Sequence, residues 1–256
     1  MKWRLALGLV LVALLVPPGR IAIAGTFSDA FSTNPLTSRW CERFHNVHYN
    51  VANHWMVAWA ASTCDSAGGC CLTCLFPCST APGNSSLLIS KSDYTGTTRS
   101  AAIDVGWPTT LVQATGEHPA VFSVVHPNCH TGYEATIFAE SGGTYQLIIV
   151  RPTDSTKPEC DDFAATSSGA ITGISLSLSS TPRYNLKLTT QPSGPLLYAF
   201  AQLKDNNTGQ QKAVLGWYSD YPTSWYNNKA KRFGIGGIRL STEANGFRLD
   251  NFVGTF

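Results

Sequence analysis

The chain has 256 residues with 18 basic and 16 acidic side chains, and its net charge of +2 rests on its first segment. Lys2, Arg4 and Arg20 lie in a stretch with the features of an export signal; taking those three from 18 leaves 15 basic side chains against 16 acidic ones. A surface so balanced has no basic field to hold nucleic acid or an anionic membrane, and 11% aromatic residues is not the composition of a disordered chain.

Residues 1–24 read as the signal. Lys2 and Arg4 open it, Leu5 to Val16 form an apolar run, Pro17, Pro18 and Gly19 break any helix, and Ala22-Ile23-Ala24 fits the small-x-small cleavage pattern. The run is too short to cross a bilayer, for which about 20 residues are needed, and no other stretch is long and apolar enough for a span. The mature chain, 25–256, is expected outside the cytoplasm, secreted to an extracellular or periplasmic space. Its length suits one large β domain.

Short runs rich in β-branched and aromatic residues follow one another, separated by Gly, Pro, Asn, Asp or Ser. Thr26–Ser32 opens the series. Trp55–Trp59 comes next, with both tryptophans on one face of the strand, where they read mainly as core. Ser86–Lys91, Ala120–His126, Tyr133–Ala139, Tyr145–Val150, Ile171–Leu178, Tyr184–Thr189, Leu196–Leu203, Ala213–Tyr218, Phe233–Leu240 and Phe247–Phe256 complete it. In Tyr184–Thr189 the apolar Tyr184, Leu186 and Leu188 alternate with Asn185, Lys187 and Thr189, a period of two. Such a series predicts an all-β domain of two packed sheets, with the first and last strands paired so that both ends are tied down.

The cysteines are Cys41, Cys64, Cys70, Cys71, Cys74, Cys78, Cys129 and Cys160. An even number in an exported chain reads as disulfides; a zinc site would want a second pair to match Cys71-Leu-Thr-Cys74, and none exists. Gly142-Gly143 predicts a turn between Gly132–Glu140 and Thr144–Arg151, which brings Cys129 and Cys160 to one end of a hairpin and makes a bridge between them plausible. The other six pairings stay open. Residues 64–78 read as a Cys-rich insert with little core of its own.

The order Phe27-Ser-Asp29-Ala-Phe31, Leu36, Trp40, then Gly132-Tyr133-Glu-Ala-Thr-Ile137 with a second strand after a Gly turn, then Phe247-Arg-Leu249-Asp250-Asn251-Phe252, resembles the concanavalin A-like and laminin-G-like jelly rolls. The resemblance implies a disulfide-stabilised two-sheet jelly-roll sandwich. Carbohydrate-binding modules, lectins, adhesion domains, glycoside hydrolases and polysaccharide lyases all use this fold, so the site must decide the activity. Jelly-roll modules often carry a structural calcium near the chain ends, which the resemblance assigns to Asp29 and Asp250; Asp154, Glu159, Asp161 and Asp162 form a second acidic group. No cofactor is required.

For glycosidase chemistry two carboxyl groups must face each other, about 5 Å or about 6.5–9.5 Å apart. Glu134 and Glu140 share a strand face, but six residues separate their side chains by about 20 Å. Either Glu134 or Asp104 would need a partner from a neighbouring strand. A lyase would need a base beside groups that neutralise a uronate; His126, His130, Tyr133 and Arg151 are near in sequence but form no complete set. His45 and His48, three apart, diverge on a strand. No catalytic residue is assigned.

The aromatic stretch Trp217, Tyr218, Asp220, Tyr221, Trp225, Tyr226, Asn227 is the sequence candidate for a ligand surface, since rings among polar loop residues stack on sugars and hydrogen-bond their hydroxyls. The leading expectation is a non-catalytic module whose partner is a carbohydrate or another cell-surface ligand. The alternatives are a polysaccharide-degrading enzyme and a structural or adhesive surface protein. Asn84-Ser-Ser86 and Asn206-Asn-Thr208 are N-glycosylation sequons.

Overall fold

The computed structural model describes residues 25–36, 38–44, 47–59, 85–125, 132–152, 165–219, 232–239 and 242–256. Among them the regular structure is strand: β1 (Thr26–Asp29), β2 (Trp40–Phe44), β3 (Val47–Asn50), β4 (Trp55–Ala58), β5 (Ser85–Ser90), β6 (Arg99–Gly106), β7 (His118–Val125), β8 (Gly132–Ala139), β9 (Tyr145–Pro152), β10 (Ala165–Ile174), β11 (Tyr184–Ser193), β12 (Leu196–Asp205), β13 (Gln211–Ser219), β14 (Arg232–Ile238) and β15 (Phe247–Thr255). Two short 3-10 turns interrupt the series at Gln113–Thr115 and Glu243–Asn245.

An eight-stranded antiparallel sheet runs β13-β12-β11-β6-β15-β4-β3, with β1 paired to β15 off this path. A seven-stranded sheet runs β10-β9-β8-β7-β14-β5-β2. The predicted meeting of the ends is present: Thr26 pairs with Thr255 and Asp29 with Phe252. So is the central hairpin, where β8 and β9 join through Gly142 and Gly143 at φ 92° and 82°, a region that a side chain would strain.

Alternate residues of both sheets fill the space between them. Tyr184, Leu186 and Leu188 of β11 face Val121, Val124, Ala135 and Ile137 in one continuous core. Polar contacts cross it as well: Ser123 Oγ and Thr190 Oγ1 share a hydrogen bond at 2.9 Å, as do Tyr133 Oη and Ser219 Oγ at 2.6 Å. At one end Phe27, Phe31, Trp40, Phe233 and Phe252 pack ring on ring, with Trp40 edge-on to Phe252 at 4.9 Å.

Three expectations need correction. In β4 it is Met56 and Ala58 that enter the core; Trp55 and Trp59 are half-buried on the opposite face, as the period of two requires once Met56 is inside. The strand expected at Ile171–Leu178 begins earlier and ends at Ile174, because β9 offers its last partner there, Tyr145. Beyond it, Ser177 takes its backbone partner from the Tyr184 hydroxyl instead, at 2.7 Å. Finally, β2, β3 and β6 are strands with no counterpart in the sequence reading. All eight cysteine side chains lie outside what is described, Cys41 on the backbone of β2 and the others on the segments not described, as do the insert and the proposed Cys129–Cys160 bridge.

Candidate functional site

β12 and β13 form the hairpin at one edge of the eight-stranded sheet, and their alternation splits the side chains cleanly. Leu197, Ala199, Ala201, Ala213 and Leu215 are buried in the core. Tyr198, Phe200 and Tyr218 point the other way, and Tyr218 is 60% exposed. Tyr198 stands opposite Tyr218, with ring centroids 4.7 Å apart and planes tilted by 42°. Tyr198 and Phe200 stack at 6.4 Å and 25°. Phe200 stands opposite Gly216, and a β-carbon at Gly216 would lie 2.6 Å from the Tyr198 hydroxyl. The missing side chain leaves room for the phenol end of Tyr198 to reach over β13 at Gly216, which stays exposed. On the next strand Thr189 and Gln191 stand opposite Phe200 and Tyr198 and supply hydroxyl and amide groups along the border. Aromatic side chains on an outer face beside neutral hydrogen-bonding groups can stack on the apolar face of a sugar ring and bind its hydroxyls.

Of the expected ligand residues, Trp217 and Tyr218 are parted by the strand period. Tyr218 belongs to this outer strip. Trp217 packs against the core from the inner side, with the Arg151 guanidinium 5.9 Å from its ring centroid. Asp220, Tyr221, Trp225, Tyr226 and Asn227 lie outside the described residues. Tyr198 and Phe200 were missed by the sequence reading; the available signal was two aromatics at i and i+2, on the face of β12 opposite Leu197 and Ala199.

On the same outer face, Asp104 stands opposite both Asp250 and Asn185. Its Oδ1 accepts from Asn185 Nδ2 and Asn206 Nδ2, both at 2.8 Å, and its Oδ2 from Asn251 Nδ2 at 3.0 Å. Asn206, the sequon asparagine of the β12–β13 turn, is therefore held by a carboxylate. Burial pushes the Asp250 carboxyl up to about 6; the Asn251 N–H at 2.7 Å opposes this, and the charges of Asp104 and Asp29 add to it. Asp29 is buried. Its Oδ1 accepts from the Phe31 N–H and its Oδ2 from the Trp40 indole N–H, each at 3.0 Å, with Arg39 Nη1 at 3.6 Å. A cation at Asp29 would have to displace these donors.

The outer face of the seven-stranded sheet carries Glu134, whose partner from the neighbouring strand is an imidazole: His118 Nε2 lies 3.3 Å from Glu134 Oε1. Glu140 is used at the hairpin end, accepting from Thr144 Oγ1 at 3.0 Å and the Gly173 N–H at 2.7 Å. Tyr133 is a core residue, and His48 meets Glu243. His45, His126 and His130, the acidic group at 154–162 and Asn84 lie outside the described residues.

No protein-family model and no curated protein matches the sequence. Solved structures do match. The winged bean acidic lectin, complexed with methyl-α-D-galactose, is similar over 91% of this chain and 98% of its own, at 8% identity and a TM-score of 0.55. The CBM2 module of the evolved Dit of Lactobacillus casei BL23 phage J-1 is similar over 91% and 95%, at 9% identity and a TM-score of 0.52. The likeness is one of fold: the chain is a two-sheet jelly-roll sandwich, as these proteins are.

Proposed function

We propose that the protein is an exported, non-catalytic carbohydrate-binding module and that the Tyr198–Phe200–Tyr218 strip is its contact surface. The carrying observation is Tyr198 reaching over Gly216 beside the exposed ring of Tyr218, 4.7 Å away between centroids. Support for export comes from residues 1–24 and the even number of cysteines. The fold is one on which a galactoside is held in the winged bean lectin. Affinity electrophoresis through gels of neutral polysaccharides tests the reading. The wild-type chain is expected to be retarded by at least one of them, and Tyr198→Ala and Tyr218→Ala each to lose most of that retardation. Retardation unchanged in both variants, or none with any glycan, would overturn it.

A further inference from the structure

We infer that the ligand of the Tyr198–Tyr218 strip is an extended, uncharged, β-1,4-linked polysaccharide chain that continues from the rings across the strands of the eight-stranded sheet; the inference rests on the strip being the contact surface. The registers lay out its track. Gly216 of β13 stands opposite Phe200 of β12, Phe200 opposite Thr189 of β11, Thr189 opposite Ser100 of β6, Ser100 opposite Thr255 of β15, and Thr255 opposite Thr26 of β1. Directly opposed residues share a face of a sheet. Ala199, Leu188, Ala101 and Phe27, which alternate with them, are in the core, so the row lies on the outer face beside Tyr198 and Tyr218.

Three features of the row fit such a chain. First, beyond Phe200 every side chain in it carries a hydroxyl: Thr189, Ser100, Thr255 and Thr26. A hydroxyl both donates and accepts, as a sugar hydroxyl does, so either partner can take either role. Thr26 and Thr255 are exposed, Thr189 is half-buried, and Ser100 is enclosed between Thr189 and Thr255. None of the four hydroxyls is engaged by a hydrogen bond among the described residues. Second, neighbouring strands lie about 4.8 Å apart, close to the length of one sugar residue in an extended β-1,4-linked chain, so a chain laid across them meets one strand per residue. From β13 to β1 the row spans roughly 24 Å, room for about five residues. Third, no charged side chain stands in the row, nor in the adjoining row of Tyr218, Tyr198, Gln191 and Thr98. A uronate or sulfated chain would find no fixed counter-charge in either.

The test is isothermal titration of the full-length protein with cello-, xylo- and manno-oligosaccharides of two and six residues. At least one hexasaccharide is expected to bind about tenfold more tightly than its disaccharide. Thr255→Lys, which drives a charged side chain into the row at an exposed position, should remove most of that advantage, and Thr26→Val part of it; thermal melts check the fold of each variant. Tyr198→Ala should weaken binding at both lengths. Equal affinity for the two lengths, or an advantage unchanged in folded Thr255→Lys, would sink the row and leave the strip standing, whereas no binding at either length would sink both. Sedimentation showing a dimer that Thr255→Lys dissolves would give this face to a second copy of the chain and overturn the assignment.

Discussion

Tyr198 reaches over Gly216, its hydroxyl 2.6 Å from where a β-carbon would stand. Gly216→Val should therefore lift the tyrosine from the sheet without removing any aromatic group. Valine suits an edge strand, so the fold is expected to persist. Losing one well-placed ring contact of about 1.5 kcal/mol corresponds to roughly tenfold weaker sugar binding. Isothermal titration with the glycan retained by the wild type, beside a thermal melt, measures both; a variant that binds normally would detach the strip from function.

Arg239 and Glu117 are 1% and 2% exposed and meet at 2.7 Å. The guanidinium also donates to the carbonyls of Thr109, Thr110 and Asn245 and to the Thr109 hydroxyl, fastening the loop before β7 to the turn before β15. Arg239→Met should cost about 3–5 kcal/mol, since it leaves a buried carboxylate and several carbonyls without their donor. Glu117→Gln keeps an acceptor for the Val112 N–H and is expected to cost less. Urea denaturation of the two variants gives the order.

Asp29 fixes the first strand to the aromatic end of the core through Phe31 and Trp40. Asp29→Ala removes both acceptors at a buried position. The expected loss is about 2–4 kcal/mol, seen as a lower urea midpoint with an unchanged slope. Asp29→Asn, which keeps one oxygen, should fall between the two.

Two carboxyls set opposite pH trends. Asp250 titrates at about 6 in the folded chain, above its unfolded value, so the folded state holds the extra proton. Its contribution is complete below about 4 and is lost as pH rises through 6, by on the order of 1 kcal/mol once solvent screening is allowed for. Asp205 has the reverse sign. The hydrogen bonds from Arg183, at 2.8 and 3.2 Å, hold its carboxyl below the ordinary value. Its contribution is present above the unfolded value and is lost as the solution turns acid. Asp250→Asn should flatten the stability profile between pH 4 and about 6, and Arg183→Ala should flatten it on the acid side. Chemical denaturation across that range reads both.

How far the fold was legible depended on how local each signal was. The β11 alternation, the Gly142-Gly143 turn and the aromatic ends are all written in adjacent residues, and all three recur in the structure. β6 was not legible. Arg99-Ser-Ala-Ala-Ile-Asp-Val-Gly106 lacks the bulky residues of a strong strand former, and it is extended because β11 and β15 pair with it on both sides. The site was half legible for the same reason. Tyr218 stood out in an aromatic run, but its working neighbours come from the strand beside it: Tyr198 and Phe200 are twenty or so residues away in sequence and adjacent only through the β12–β13 register.

By itself the sequence determined the class of the molecule: short runs alternating inward and outward can bury their apolar side chains only as two sheets face to face. Which member of a neighbouring pair turns inward was decided by tertiary packing. Met56 and Trp217 took core-facing positions, while Trp55 and Tyr218 took the outer face, because strand register, and not residue type, sets which side of a sheet a side chain occupies. The meeting of His118 with Glu134, and of Tyr198 with Gly216, exists only once β7 pairs with β8 and β12 with β13.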